Sequence, residues 1–139
     1  MGSSPNRLVA VIFGAVYALV GLLGFTVTGA VEFAGPDGEL LLGIFQVNPL
    51  HNIVHLLIGL ALLVGGIAGV RAAKTVNIIV GAAYLLLGIV GFFLDGPANF
   101  LALNLADHFL HLATAIILLG VGLAADREVR NSTTRTRAA

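Results

Sequence analysis

The sequence predicts an all-α integral membrane protein of four transmembrane helices, arranged as a tandem parallel repeat of two-helix units with both termini cytoplasmic. Three observations predict it. First, 58% of the 139 residues are hydrophobic and only 10% are charged, whereas a soluble domain needs about a quarter of its residues charged to cover a water-facing surface. Second, the chain holds four apolar runs of the length a bilayer requires, about 20 residues each. Third, both the helix pattern and a histidine motif occur twice, in the same order.

Residues 1–7 form a short N-terminal segment ending in Arg7, and the first span is placed at about 8–29. Arg7, the apolar run and "TGA" at 28–30 resemble a cleaved leader. That reading is set aside because the run has a twin later in the chain. An external loop follows, with a turn signal in "GPDGE" (35–39) and then "LLLGIFQV" (40–47), expected as a short interfacial segment. The second span covers about 49–70, the third 75–94 and the fourth 104–125. Residues 126–139 form a polar tail, expected to be loose. Gly2 does not start a myristoylation motif, since Asn6 stands where Ser or Thr is needed. Asn131-Ser132-Thr133 matches a glycosylation acceptor but lies in the predicted cytoplasmic tail.

The charges assign direction. Arg7, Arg71, Lys74, Arg127, Arg130, Arg135 and Arg137 flank one side, and Glu32, Asp37, Glu39, Asp95 and Asp107 the other. Positive residues favour the cytoplasmic side, so the loops near 29–47 and 95–104 are external. A single lysine against six arginines matches a GC-rich bacterial genome, and the expected location is the bacterial cytoplasmic (inner) membrane. Net charge is zero, which excludes a nucleic-acid surface. The absence of cysteine excludes disulfides, thiolate metal sites, iron–sulfur clusters and covalently attached haem.

"GAVYALVGLLGF" (14–25) recurs as "GAAYLLLGIVGF" (81–92), and "VNPLHNIVHL" (47–56) as "LNLADHFLHL" (103–112). The offsets are 67 residues for the first helices and 56 for the second, so the first external loop is 11 residues longer. Two crossings per unit make the copies parallel, related by an axis along the membrane normal. At 100° per residue, Gly14, Tyr17, Gly21 and Gly24 share a face, as do Gly81, Tyr84, Gly88 and Gly91. His55, Gly59 and Gly66 share another, matched by His111, Ala115 and Gly122. Helices in lipid associate through small residues, so these stripes are the expected packing faces.

The histidine motif serves two purposes. Asn48 followed by Pro49 is a helix start, and Asn104 with Asp107 three residues on is another. What remains is a polar layer of His51, Asn52 and His55 in one copy and Asp107, His108 and His111 in the other. His55 and His111 lie roughly 10 Å below the caps and are expected as close neighbours across the bundle axis. His51 and His108 are expected nearer the surface. One reading is a structural hydrogen-bond layer. Another is a cofactor or metal site: His55 and His111 as axial ligands of haem b, or His51, His55, His108, His111 and Asp107 around a divalent ion. A third is a site for a proton, quinone or small substrate, though no acid lies deep in the chain to continue a relay. Tyr17 and Tyr84 are expected to bond across the bundle, and their lean toward the helix N-terminus argues against Tyr–His bonds.

The "NPLHNIVHLLIGL" stretch, the second "NLADHFLHL" and the glycine-tyrosine first helices resemble the four-span membrane family of domain of unknown function 4383 over about residues 8–125. That resemblance implies a four-span topology and an actinobacterial lineage, and no activity. With no nucleophile–base arrangement or phosphate loop, the leading expectation is a small non-enzymatic structural or accessory membrane protein without a cofactor. Its expected partners are the lipid bilayer and either further copies of itself or a larger membrane complex.

Overall fold

The computed structural model describes residues 4–127. The Asn131 sequon and the arginines of the tail from Arg130 onward lie outside them. Four helices form the bundle: α1 (Pro5–Gly24), α2 (Pro49–Ala68), α3 (Val70–Val90) and α4 (Leu105–Ala124). All four are long and apolar enough to cross a membrane. Large apolar side chains such as Leu8, Leu57, Val64, Ile79, Leu86 and Ile116 stay exposed around the outside. That belt is untenable in water at this extent, and the chain is a multi-pass membrane protein.

Helix boundaries differ from the sequence expectation at both ends of α1 and at the start of α3, each with a local cause. α1 begins at Pro5, because the Ser4 side chain accepts from the Arg7 N–H and proline occupies the first turn. It ends at Gly24 rather than near residue 29. There the Thr26 hydroxyl donates to the Leu23 carbonyl at 2.6 Å, and the last amides make short turn bonds. α3 begins at Val70, with only Gly69 (φ 145°) separating it from α2. That left-handed conformation is open to glycine at no steric cost. The expected loop at 71–74 is therefore helix, and Arg71 and Lys74 belong to the first turns of α3.

The loop between α1 and α2 holds the clearest departure. "LLLGIFQV" folds with Glu39 into an antiparallel hairpin, β1 (Glu39–Leu41) and β2 (Phe45–Val47), pairing Glu39 with Val47 and Leu41 with Phe45. The turn is Leu42-Gly43-Ile44, with φ of 54° and 72° at the first two. The run expected as a short interfacial segment is thus a hairpin, and Gly43 makes the reversal possible. The hairpin and the buried segment Leu101–Leu103 cover the end of the bundle at which α2 and α4 begin. The two helix caps lock this cover reciprocally. Asn48 caps α2 and donates to the carbonyls of Gly35 and Phe100 at 3.1 and 2.9 Å. Asn104 caps α4 and donates to the Ile44 carbonyl at 2.8 Å.

α1 packs most extensively on α2, and α3 on α4. The buried core is Ala10, Tyr17, Leu62, Ala73, Val80, Tyr84, Ala115 and Leu118. At the other end a polar network ties the helices together. Asn77 donates to the Asn6 carbonyl and side-chain oxygen at 3.0 Å each, and Asn6 donates to Asp126 at 3.0 Å. Arg7 donates to the Gly66 carbonyl at 2.9 Å, where the last carbonyls of α2 need partners.

Candidate functional site: a buried histidine cluster

α2 enters the bundle with Asn48 accepting from the His51 N–H at 2.8 Å, which sets the rotation of its first turns. His51, Asn52 and His55 then face inward and are buried. α4 enters through a reciprocal capping box, Asn104 with Asp107, and buries Asp107, His108 and His111. Three of these side chains converge. His51, His55 and His111 each offer a ligand atom, all within 4.8 Å of one another. The Nε2 atoms of His51 and His55 are 3.1 Å apart, and the His55 and His111 ring centres are 6.1 Å apart.

His51, expected nearer the surface, is 1% exposed and belongs to the cluster. The covering hairpin and Leu101 remove it from water although it stands in the first turn of its helix. Asp107 and His108 do not join. Asp107 turns back and accepts from the Asn104 N–H at 2.9 Å. His108 lies in a notch beside Gly91 and packs on Phe92, ring centres 4.7 Å apart. Asn52, at the matching position in α2, fills the notch beside Gly24 and donates to the Thr28 hydroxyl at 3.0 Å.

Two tyrosines floor the cluster. Tyr17 and Tyr84 stack at 5.2 Å, Tyr17 meets His55 edge-on at 5.1 Å, and Tyr84 stacks on His111 at 4.8 Å. Helical lean argued against Tyr–His hydrogen bonds; the rings pack against each other, because both sit on the packing faces. The Tyr17 hydroxyl lies 2.7 Å from the Thr114 hydroxyl across the bundle. Thr114 escaped the sequence reading, as did Asn6, Asn77 and Thr28. The signal was available for two of them: Asn77 continues the stripe of Gly81, Tyr84 and Gly88, and Thr114 lies three residues past His111.

Among the described residues, neither ring nitrogen of His111 has a hydrogen-bond partner, nor do Nδ1 of His51, Nδ1 of His55 and the Tyr84 hydroxyl. A buried unpaired polar group costs about 1–3 kcal/mol. The cluster lines a groove of about 150 Å³ between α2 and α3, with Val54, Ile58 and Leu87 on its walls. This arrangement can hold a small group that both donates and accepts hydrogen bonds, or an ion ligated by imidazole. A groove of about 150 Å³ is far smaller than a porphyrin, so it does not fit haem.

No curated protein and no solved structure matches the chain. The family described as Domain of unknown function (DUF4383) matches residues 7–124, a stretch that takes in all three clustered histidines, both tyrosines and both helix caps. The chain therefore belongs to that family.

Proposed function

We propose that this protein is a small, non-enzymatic accessory protein of the bacterial cytoplasmic membrane that binds a ligand on His51, His55 and His111. One observation carries the reading: His111 is 0% exposed and has neither ring nitrogen paired. A purely structural polar layer is selected for satisfied bonds, and Tyr17 with Thr114 is an example of one. The charge distribution supports both termini being cytoplasmic, which places the cluster in the outer leaflet. The apolar flanks leave room for further copies or a larger membrane complex.

A transition metal is the second reading, favoured by ligand atoms within 4.8 Å of one another. Three nitrogens on one zinc lie about 3.4 Å apart, given bonds of about 2.1 Å, so a small contraction suffices. Charge argues the other way. Three neutral imidazoles leave an ion's charge uncompensated, Asp107 is committed to its cap, and buried unpaired charge is far costlier than a buried neutral group.

Native mass spectrometry and elemental analysis of protein extracted with its lipids test the proposal. A stoichiometric small molecule or metal, lost in His111→Leu, is the expected result. A bare polypeptide mass with no metal, whether or not the histidines are present, would make the cluster a structural layer. Reporter fusions at the C-terminus and near Asp37 test the topology; an external C-terminus would reverse it.

A further inference from the structure

The way into the cluster identifies what it takes. Toward the external face it is shut. Leu41, Val47, Leu101, Ala102 and Leu103 are all buried there, and the Asn48 and Asn104 side chains bind the two cover segments to each other's halves. Toward the bundle centre, Leu62 and Leu118 are fully buried. The groove opens only sideways among the described residues that line it, past Ala83, which is exposed, and the half-buried Val54, Ile58 and Leu87. That opening lies on the apolar belt, so an arriving molecule crosses hydrocarbon and not water.

Chemistry narrows the molecule further. It meets three unpaired imidazole edges and one unpaired phenol hydroxyl. A neutral imidazole presents one donor and one acceptor, and a phenol can donate. Among the described residues no charged side chain lines the groove, so the molecule is neutral. A cavity of about 150 Å³ holds one benzene-sized ring, and the Tyr84–His111 stack supplies a flat aromatic wall beside it. We propose that the ligand is a quinone or quinol with a single-ring head group, entering from the bilayer between α2 and α3. Its oxygens accept from Tyr84 and an imidazole N–H in the quinone form and donate to imidazole nitrogen in the quinol form. Its tail lies along Val54, Ile58 and Leu87. This rests on the reading of the cluster as a ligand site.

The chain has two tyrosines and no tryptophan, so its intrinsic fluorescence comes entirely from the floor of the cluster. Full-length protein in phosphatidylcholine nanodiscs is titrated with a benzoquinone carrying a ten-carbon tail. The expected result is saturable quenching at one quinone per chain. Ala83→Phe, which fills the groove mouth, should weaken binding at least tenfold, and so should His111→Leu. Ala82→Phe, exposed on the neighbouring face, should behave as wild type. Quenching that rises linearly and equally in all four proteins would be partition into lipid and would overturn the proposal. Stoichiometric zinc or copper binding without saturable quenching would overturn the quinone and leave the ligand-site reading standing. Binding of neither quinone nor metal would remove both.

Discussion

The α1–α2 pair and the α3–α4 pair carry the same sequence pattern but are closed differently. In the first pair, backbone meets backbone. A Cβ on Gly14 or Gly21 would lie 2.7 Å from a backbone nitrogen or oxygen of α2, and one on Gly59 would strike the Ala18 backbone. In the second pair, Ala115 stands where the first has Gly59, and a Cβ on Gly88 would meet first the side chain of Leu112, at 2.7 Å. The polar residues diverge in the same way. His51 reaches His55, whereas Asp107, at the matching position, folds back onto its own cap. Asn52 donates to Thr28, with its Oδ1 left unpaired among the described residues, whereas His108 packs on Phe92. The lesson is that the first pair is the more tightly packed, the second looser, and the cluster sits where they meet, with two histidines from one and one from the other.

The largest expected effect tests the packing half of that contrast. Gly21→Ala should destabilise the bundle by about 1–3 kcal/mol, because the Asn52 and Leu56 backbones it meets have nowhere to go. Gly88→Ala should cost clearly less, because the Leu112 side chain can turn aside. Unfolding in a mixed detergent titration measures both, and equal losses would erase the distinction between the pairs.

The histidines should separate next. His51→Leu strands Nε2 of His55 and should cost about 1 kcal/mol. His111→Leu strands nothing among the described residues, so without ligand it should be neutral or stabilising, and only ligand binding should suffer. A large loss of stability in ligand-free His111→Leu would mean that this histidine has a structural partner.

The tyrosines give a smaller version of the same test. Tyr17→Phe removes the bond to Thr114 and should cost roughly 0.6–1.7 kcal/mol, the range of interhelical polar contacts in membranes. Tyr84→Phe removes a hydroxyl with no partner among the described residues and should leave thermal stability unchanged or raise it. The reverse order in a thermal melt would contradict the assigned pairing.

The smallest effect concerns Asp126, beyond the end of α4. The Ser4 hydroxyl, and then Asn6, bond its carboxylate and hold its pKa below the ordinary value. A depressed carboxyl favours the folded state above its unfolded pKa of about 3.9, and that contribution is lost as pH falls through the lower folded value. Lowering pH from about 6 to about 3 should therefore cost wild type slightly more Tm than Asp126→Asn. Parallel Tm curves would show that the carboxylate contributes nothing through its charge.

Much of this molecule was legible in its residues. Four spans, the starts of α2 and α4 at Asn48 and Asn104, and a shared face for His55 and Gly59 follow from length, capping and periodicity, which act over a few residues of one helix. The hairpin was missed because its apolar run carries no helix–strand distinction except Gly43. The α2–α3 junction was misplaced because charge was taken for loop, when a first helical turn at a membrane surface tolerates Arg71 and Lys74 equally well.

By itself, then, the sequence determined how many helices cross the membrane, where two of them begin and which side of each turns inward. Tertiary structure alone decided which polar atoms meet. His51 and Asp107 occupy matching positions, yet one enters the cluster and the other leaves it. That choice depends on how closely two backbones approach, on a cover contributed by distant loops, and on which partner lies within about 3 Å of a ring edge. Those are properties of pairs of elements, and no periodicity along a single helix encodes them.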